Sequence, residues 1–319
     1  MKKLFFLLVI FILFFMYGAA TAGFEEGKKS FETGDFKTAL KEFKPLAEQG
    51  NPDAQYFLGR MFFSGQGLPQ NYTEAVKWIG LAAEQGVANA QYSIGWMYYK
   101  GEGVTKNYRE AIKWYRLAAE QGVNDAQAAI GFMYYTGEGV PQDYKEAIKW
   151  FRPAAEKGFA NAQVAIGCMY VTGEGVPQDY KEAMKWLRPA AEKGFANAQA
   201  AIGFMYYTGE GVPQDYKEAI KWFRLAADQG NPVAQFSLGA MYRYDHGTSF
   251  KSNVIAYAIW NVLASSDSPD KNRAKEGRNE LLSIMSDKEI EEGQILSHDI
   301  SKTGNFLKAL TTYIEKNKK

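Results

Sequence analysis

The chain has 319 residues, 46% of them hydrophobic and 15% aromatic, with a formal net charge of +1. That is enough apolar material for a large core or for several small stacked ones. The near-zero charge balance gives no sign of the basic patch or stripe of a nucleic-acid binder, and Cys168, the only cysteine, leaves no intrachain disulfide to form.

The N-terminus reads as a targeting segment. Lys2 and Lys3 precede an apolar run from Leu4 to Met16, and Ala20-Thr21-Ala22 follows as a small-x-small cleavage site. This is the layout of a secretory signal peptide over residues 1–22, and the run is short for a bilayer span. The expected location is the periplasm or the cell exterior, with membrane contact only in transit. Next comes Gly27-Lys28-Lys29-Ser30, which mimics the end of a phosphate loop, but the upstream glycine position holds Ala22.

From residue 51 the sequence repeats. The first glycine of a Gly-x-Gly falls at Gly65, Gly101, Gly137, Gly173 and Gly209, in steps of 36. Ala-Gln pairs begin at Ala54, Ala90, Ala126, Ala162, Ala198 and Ala234, and tryptophans stand at Trp78, Trp114, Trp150, Trp186 and Trp222. A closing glycine recurs at Gly50, Gly86, Gly122, Gly158, Gly194 and Gly230. One shared period identifies a repeat architecture.

Each unit predicts two helices. In 123–158 the first carries Ala126, Ile130 and Tyr134 on one face. Gly131 sits within it, as does a glycine in every unit, which predicts close approach of the second helix. In the second, Asp143 and Glu146 predict a capping box, Ala147, Phe151 and Ala154 the apolar face, and Gly158 a left-handed stop. Pro153 and Pro189 predict bent final turns. The Gly-x-Gly reads as the turn between the two helices; the Val-Pro-Gln-Asp that follows lacks the Lys and Ser/Thr of a phosphate loop, and its aspartate would repel an anion. Residues 231–266 form a degenerate sixth unit, with Asp245-His246-Gly247 at the turn and two extra residues before Trp260.

The C-terminal region, 267–319, reads as a helical cap. Ser286 and Glu289 predict a capping box. The last segment places Phe306, Leu307, Leu310 and Ile314 on one face, either as a docked helix or as a detachable amphipathic tail, with docking preferred.

The recurring "AQ-x-x-[LI]-G-x-M-[YF]", "G-x-G-[VL]" and "[DN]-Y-x-E-A-x-K-W" resemble the Sel-one-like repeat, a relative of the tetratricopeptide repeat. The resemblance implies an all-α, right-handed α/α solenoid of 36-residue helix-turn-helix repeats (51–86, 87–122, 123–158, 159–194, 195–230 and the degenerate 231–266), preceded by a tetratricopeptide-like helix pair over 23–50. It also implies a concave groove lined by the first helices. Four positions per repeat then form a candidate groove: Asp53, Tyr56, Arg60 and Phe63; Asn89, Tyr92, Trp96 and Tyr99; Asp125, Phe132 and Tyr135; Asn161; Asn197, Phe204 and Tyr207; Phe236 and Arg243. They combine an Asp/Asn ladder, suited to a ligand's backbone or alternatively to helix capping, with an aromatic stripe of the class that dominates binding hot spots.

The sequence holds no H-E-x-x-H, G-x-S-x-G or C-x-x-C, and its two histidines, His246 and His298, lie in different elements. Cys168 has no histidine at a fixed spacing and reads as a substituted packing or groove residue. No enzyme activity, cofactor or metal is expected. The function expected is a protein-interaction scaffold of the bacterial envelope that holds a peptide or protein partner. The alternatives are binding of peptidoglycan or exopolysaccharide, and β-lactam hydrolysis as in a cysteine-rich branch of the family. That branch carries a disulfide in each repeat, which one cysteine cannot form.

Overall fold

The computed structural model describes residues 21–248, 252–302 and 306–317, and every regular element among them is a helix. The signal-peptide features up to Ala20 lie outside the described residues. Helix α1 covers 21–33. The others are α2 (Phe36–Glu48), α3 (Pro52–Ser64), α4 (Tyr72–Glu84), α5 (Ala88–Lys100), α6 (Tyr108–Glu120), α7 (Asn124–Thr136), α8 (Tyr144–Glu156), α9 (Ala160–Thr172), α10 (Tyr180–Glu192), α11 (Ala196–Thr208), α12 (Tyr216–Asp228), α13 (Pro232–Tyr244), α14 (Asn253–Ala264), α15 (Lys271–Leu282), α16 (Asp287–Ser301) and α17 (Phe306–Asn317). The fold is an α/α solenoid of repeats of about 36 residues, in which odd-numbered helices from α3 to α13 are the first of each pair. It divides into two compact units, Met1–Trp150 and Phe151–Lys319.

Within each repeat the mid-helix glycine sets the contact. A Cβ on Gly59 would meet Ile79 Cγ1 at 2.6 Å and the Ile79 backbone nitrogen at 2.9 Å. On Gly203 it would meet the Phe223 ring at 2.8 Å. The second helix therefore lies against bare backbone, and its facing residue (Ile79, Tyr115, Phe151, Leu187, Phe223) is buried.

The two turn glycines do different work. The first ends the first helix: Gly65 has φ 70°, and its N–H donates to the Met61 carbonyl. The second, Gly103, also has positive φ, and a Cβ there would lie 2.3 Å from the carbonyl oxygen of Tyr72 in the preceding repeat. Positive φ and close backbone approach both favour glycine.

The predicted capping box forms only by half. Asp143 accepts from Glu146 N–H, and Asp179 accepts from Lys181 and Glu182 N–H. The return bond is absent because each N-cap's own N–H already donates to a first-helix carbonyl, Asp143 to Tyr134 and Asp179 to Tyr170. Glu146 instead pairs with Lys149 at 2.7 Å. The full box appears at Ser286 and Glu289 of α16. Pro189 does not shorten α10: it runs 13 residues, as does α12 with Leu225 at that place.

The Ala-Gln marker is a buried staple. Gln55, Gln91, Gln163, Gln199 and Gln235 each donate from Nε2 to the alanine carbonyl eight residues back, at the end of the preceding helix. Their Oε1 atoms accept from Gln85, Gln121 and Gln229, the residues that close the second helix of the same repeat, where those are present. At Gln163 the matching residue is Lys193, which donates to the Gly158 carbonyl instead, and Gln163 Oε1 has no partner.

The sixth repeat departs from the predicted register. Its second-helix N-cap, Ser252, lies 37 residues after Asp215, so the turn gains one residue, not two. Trp260 consequently fills the slot of Phe223 and not that of Trp222. It is buried, presses on Gly239 and donates to the Phe236 carbonyl.

The C-terminal helix docks. Phe306, Leu310 and Ile314 of α17 are buried against unit two. Leu307 N–H donates to Asp228 and Thr311 accepts from Arg224, both on α12. In the repeat before, the equivalent Arg188 donates to Tyr206 of the following first helix.

Candidate functional site

The candidate groove residues lie on the outward face of the first helices. In unit one, Asp53, Asn89 and Asp125 are exposed in the first turns of α3, α5 and α7. They are not N-caps. Asn51 caps α3, while Val87 and Val123 hold that place on α5 and α7 without a side-chain bond. Capping therefore does not explain the ladder, although Asp53 and Asp125 do sit at favourable helix N-termini.

Side chains from adjacent repeats converge between α3 and α5. Phe63 meets Trp96 edge to face with centroids 5.6 Å apart, and Tyr92 packs against Tyr115 at 5.6 Å. They leave a cleft of about 230 Å³ lined by Arg60, Phe63, Tyr92, Ser93, Trp96 and Met97. Tyr56 lies beside Arg60, its ring centroid 5.6 Å from the guanidinium carbon. Ser93 and Met97 escaped the sequence reading, which took one residue per helical turn from this face.

At Tyr99 and Tyr207 the fourth position serves packing between repeats. Tyr99 donates to Glu138 of the next repeat at 2.6 Å, and Tyr108 donates to the same carboxylate at 3.0 Å. These bonds hold Glu138 below the usual carboxylate range, with Tyr99 the largest cause, while burial and then Glu138 push the Tyr99 hydroxyl up to about 12. Tyr135 packs on Tyr144 at 5.2 Å. Phe132, one turn earlier, is 42% exposed.

In unit two, Asn161 and Asn197 are exposed, and Asn197 accepts from Asn231. Phe204 is 42% exposed. Tyr207 hydrogen-bonds His246, which stands where the preceding repeat has Glu210. Cys168 is partly covered, and burial pushes its thiol up, away from the thiolate a nucleophile needs. Phe236 and Arg243 sit under α15: Arg273 lies 4.3 Å over the Phe236 ring, and Arg243 pairs with Glu280 at 3.3 Å. The end of the first-helix face is thus covered by the chain itself.

Among the described residues no group of three or more His, Cys, Asp or Glu is placed to hold a metal ion, and no helix is long and apolar enough to cross a membrane.

Stacked helix pairs with an open first-helix face define a helical repeat protein. The Sel1 repeat profile matches at residues 52–87, 88–123, 124–159, 160–195, 196–231 and 232–260, and the chain belongs to the Sel1 repeat family. Among solved structures it is similar to a Sel1 repeat protein from Oxalobacter formigenes, 32% identical with a TM-score of 0.71, over 77% of this chain and 98% of that one. It is also similar to c5321, a protective antigen present in uropathogenic Escherichia coli strains displaying an SLR fold. That match is 25% identical, with a TM-score of 0.48, over 94% of this chain and 95% of the other. The comparison with curated proteins finds no match.

Proposed function

We propose that the protein is a non-enzymatic interaction scaffold that binds a peptide or protein partner on its first-helix face and is exported to the bacterial envelope. The observation that carries this reading is the cleft between α3 and α5. Four residues chosen from the sequence as groove positions, Arg60, Phe63, Tyr92 and Trp96, line one concavity built from two repeats. Aromatic and arginine side chains at a shallow cleft are the usual composition of a binding hot spot. Sel1 repeats generally serve protein interactions, which agrees. Export rests on Lys2, Lys3, the run from Leu4 to Met16 and the Ala20-Thr21-Ala22 site.

The test is a peptide-display selection on the full chain, followed by Trp96→Ala and, as a control away from the cleft, Lys77→Ala. Binding lost only in Trp96→Ala supports the reading. Equal binding in both variants removes this face from it. Pelleting with purified peptidoglycan that Trp96→Ala abolishes, with no peptide selected, would replace the peptide by a glycan.

A further inference from the structure

Arg60 is the one charged residue at its position. The equivalent residues are Trp96, Phe132, Cys168, Phe204 and Ala240. Its guanidinium carbon lies 5.0 Å from the Phe31 ring centroid, 5.6 Å from Tyr56 and 5.8 Å from Phe57. Such contacts restrain the guanidinium through its cationic plane and leave its N–H fork for an anion. Among the described residues no carboxylate lies within ion-pair distance of it, whereas Arg243, on a first helix of unit two, is paired with Glu280. Arg60 is also exposed, so the fork is open to a ligand.

The adjoining cleft holds about 230 Å³ between Phe63, Tyr92 and Trp96. That is below the roughly 300–1,000 Å³ of small-molecule sites, and it suits a single side chain. The required ligand therefore has a large apolar group and a planar anion a few bonds apart. A C-terminal amino acid carries both on one Cα. An aspartate or glutamate carries only the anion and would leave the cleft unfilled. Asp53, two turns earlier on α3, and Asp125 on α7 disfavour a carboxylate elsewhere along the same face.

We propose that this cleft binds the free C-terminus of a polypeptide, with a large apolar last side chain between Phe63, Tyr92 and Trp96 and the terminal carboxylate on the Arg60 guanidinium. This rests on the scaffold reading and adds the chemistry of the partner to it. The probes are fluorescein-labelled octapeptides with randomised last residues, each made as free acid and as C-terminal amide, titrated into the full-length protein by anisotropy. The best free acids are expected to end in Leu, Met or Phe. Amidation should weaken them by roughly tenfold or more, the range of a charge-assisted bidentate contact. Arg60→Gln should weaken the acids equally and leave acid and amide indistinguishable, with an unchanged circular dichroism spectrum. Acid and amide binding alike to the wild type would overturn the proposal. If both then lose affinity in Trp96→Ala, the scaffold reading stands without the carboxylate. Failure of every peptide, or indifference to both substitutions, overturns the two together.

Discussion

Gly59 and Gly80 lie one helix apart in the same repeat, and Ala should have opposite effects at the two. Both are helix-interior residues, so each exchange gains the same intrinsic helix preference, about 0.8–1.0 kcal/mol. Around Gly80 nothing lies within 4 Å of an added Cβ, and the gain should appear nearly whole. At Gly59 the Cβ would sit 2.9 Å from the Ile79 nitrogen and 3.2 Å from the Ala75 carbonyl oxygen. These are backbone atoms of α4, so relief requires the helix itself to retreat. Overpacking of this kind costs about 1–3 kcal/mol. Gly80→Ala should therefore raise the urea midpoint, and Gly59→Ala should fall below it by about 1–3 kcal/mol at constant m-value. Midpoints that rise equally in the two variants would refute close approach as the reason for the mid-helix glycine.

Lys193→Gln should stabilise by about 0.5–1.5 kcal/mol in the same assay, because a glutamine there can donate to the orphaned Gln163 Oε1 as Gln229 does to Gln199. Gln91→Leu should cost about 1–3 kcal/mol, since two hydrogen bonds, one to the Ala83 carbonyl and one from Gln121, are lost at about 0.5–1.5 kcal/mol each. Tyr99 is raised from 10.0 to about 12, so its contribution is complete below pH 10 and is lost as pH rises through 12. The stability difference between wild type and Tyr99→Phe should accordingly shrink between pH 10 and 12, and a flat difference would exclude the bond to Glu138.

Local chemistry was legible in the sequence, and contacts across repeats were not. The left-handed stop at Gly158 and the N-cap at Asp143 follow from residue type and neighbours alone. The second turn glycine could not be read this way, because what demands it at Gly103 is the carbonyl of Tyr72, a repeat away. Gln91 looks like a surface residue in the sequence, yet it is 5% exposed, because its partners lie eight residues back and thirty ahead. Trp260 was placed by its identity in the tryptophan ladder, whereas Gly239 and the single inserted residue put it one slot later. On the candidate site, Arg60, Phe63, Tyr92 and Trp96 followed from the resemblance to the Sel-one-like and tetratricopeptide repeats, which implies a groove on the first helices. What distinguishes Arg60, the lack of a carboxylate partner among the described residues, is a property of three-dimensional surroundings that no spacing encodes.

The most direct test of first-helix binding is site-specific photocrosslinking in the source cells. Benzoylphenylalanine would replace Ser93 at the cleft in one strain and Lys77 on α4 in another. A discrete adduct from position 93, absent from position 77 and lost with Arg60→Gln, is the expected result. An adduct from position 77 alone would place the partner on the second helices and contradict the proposed site.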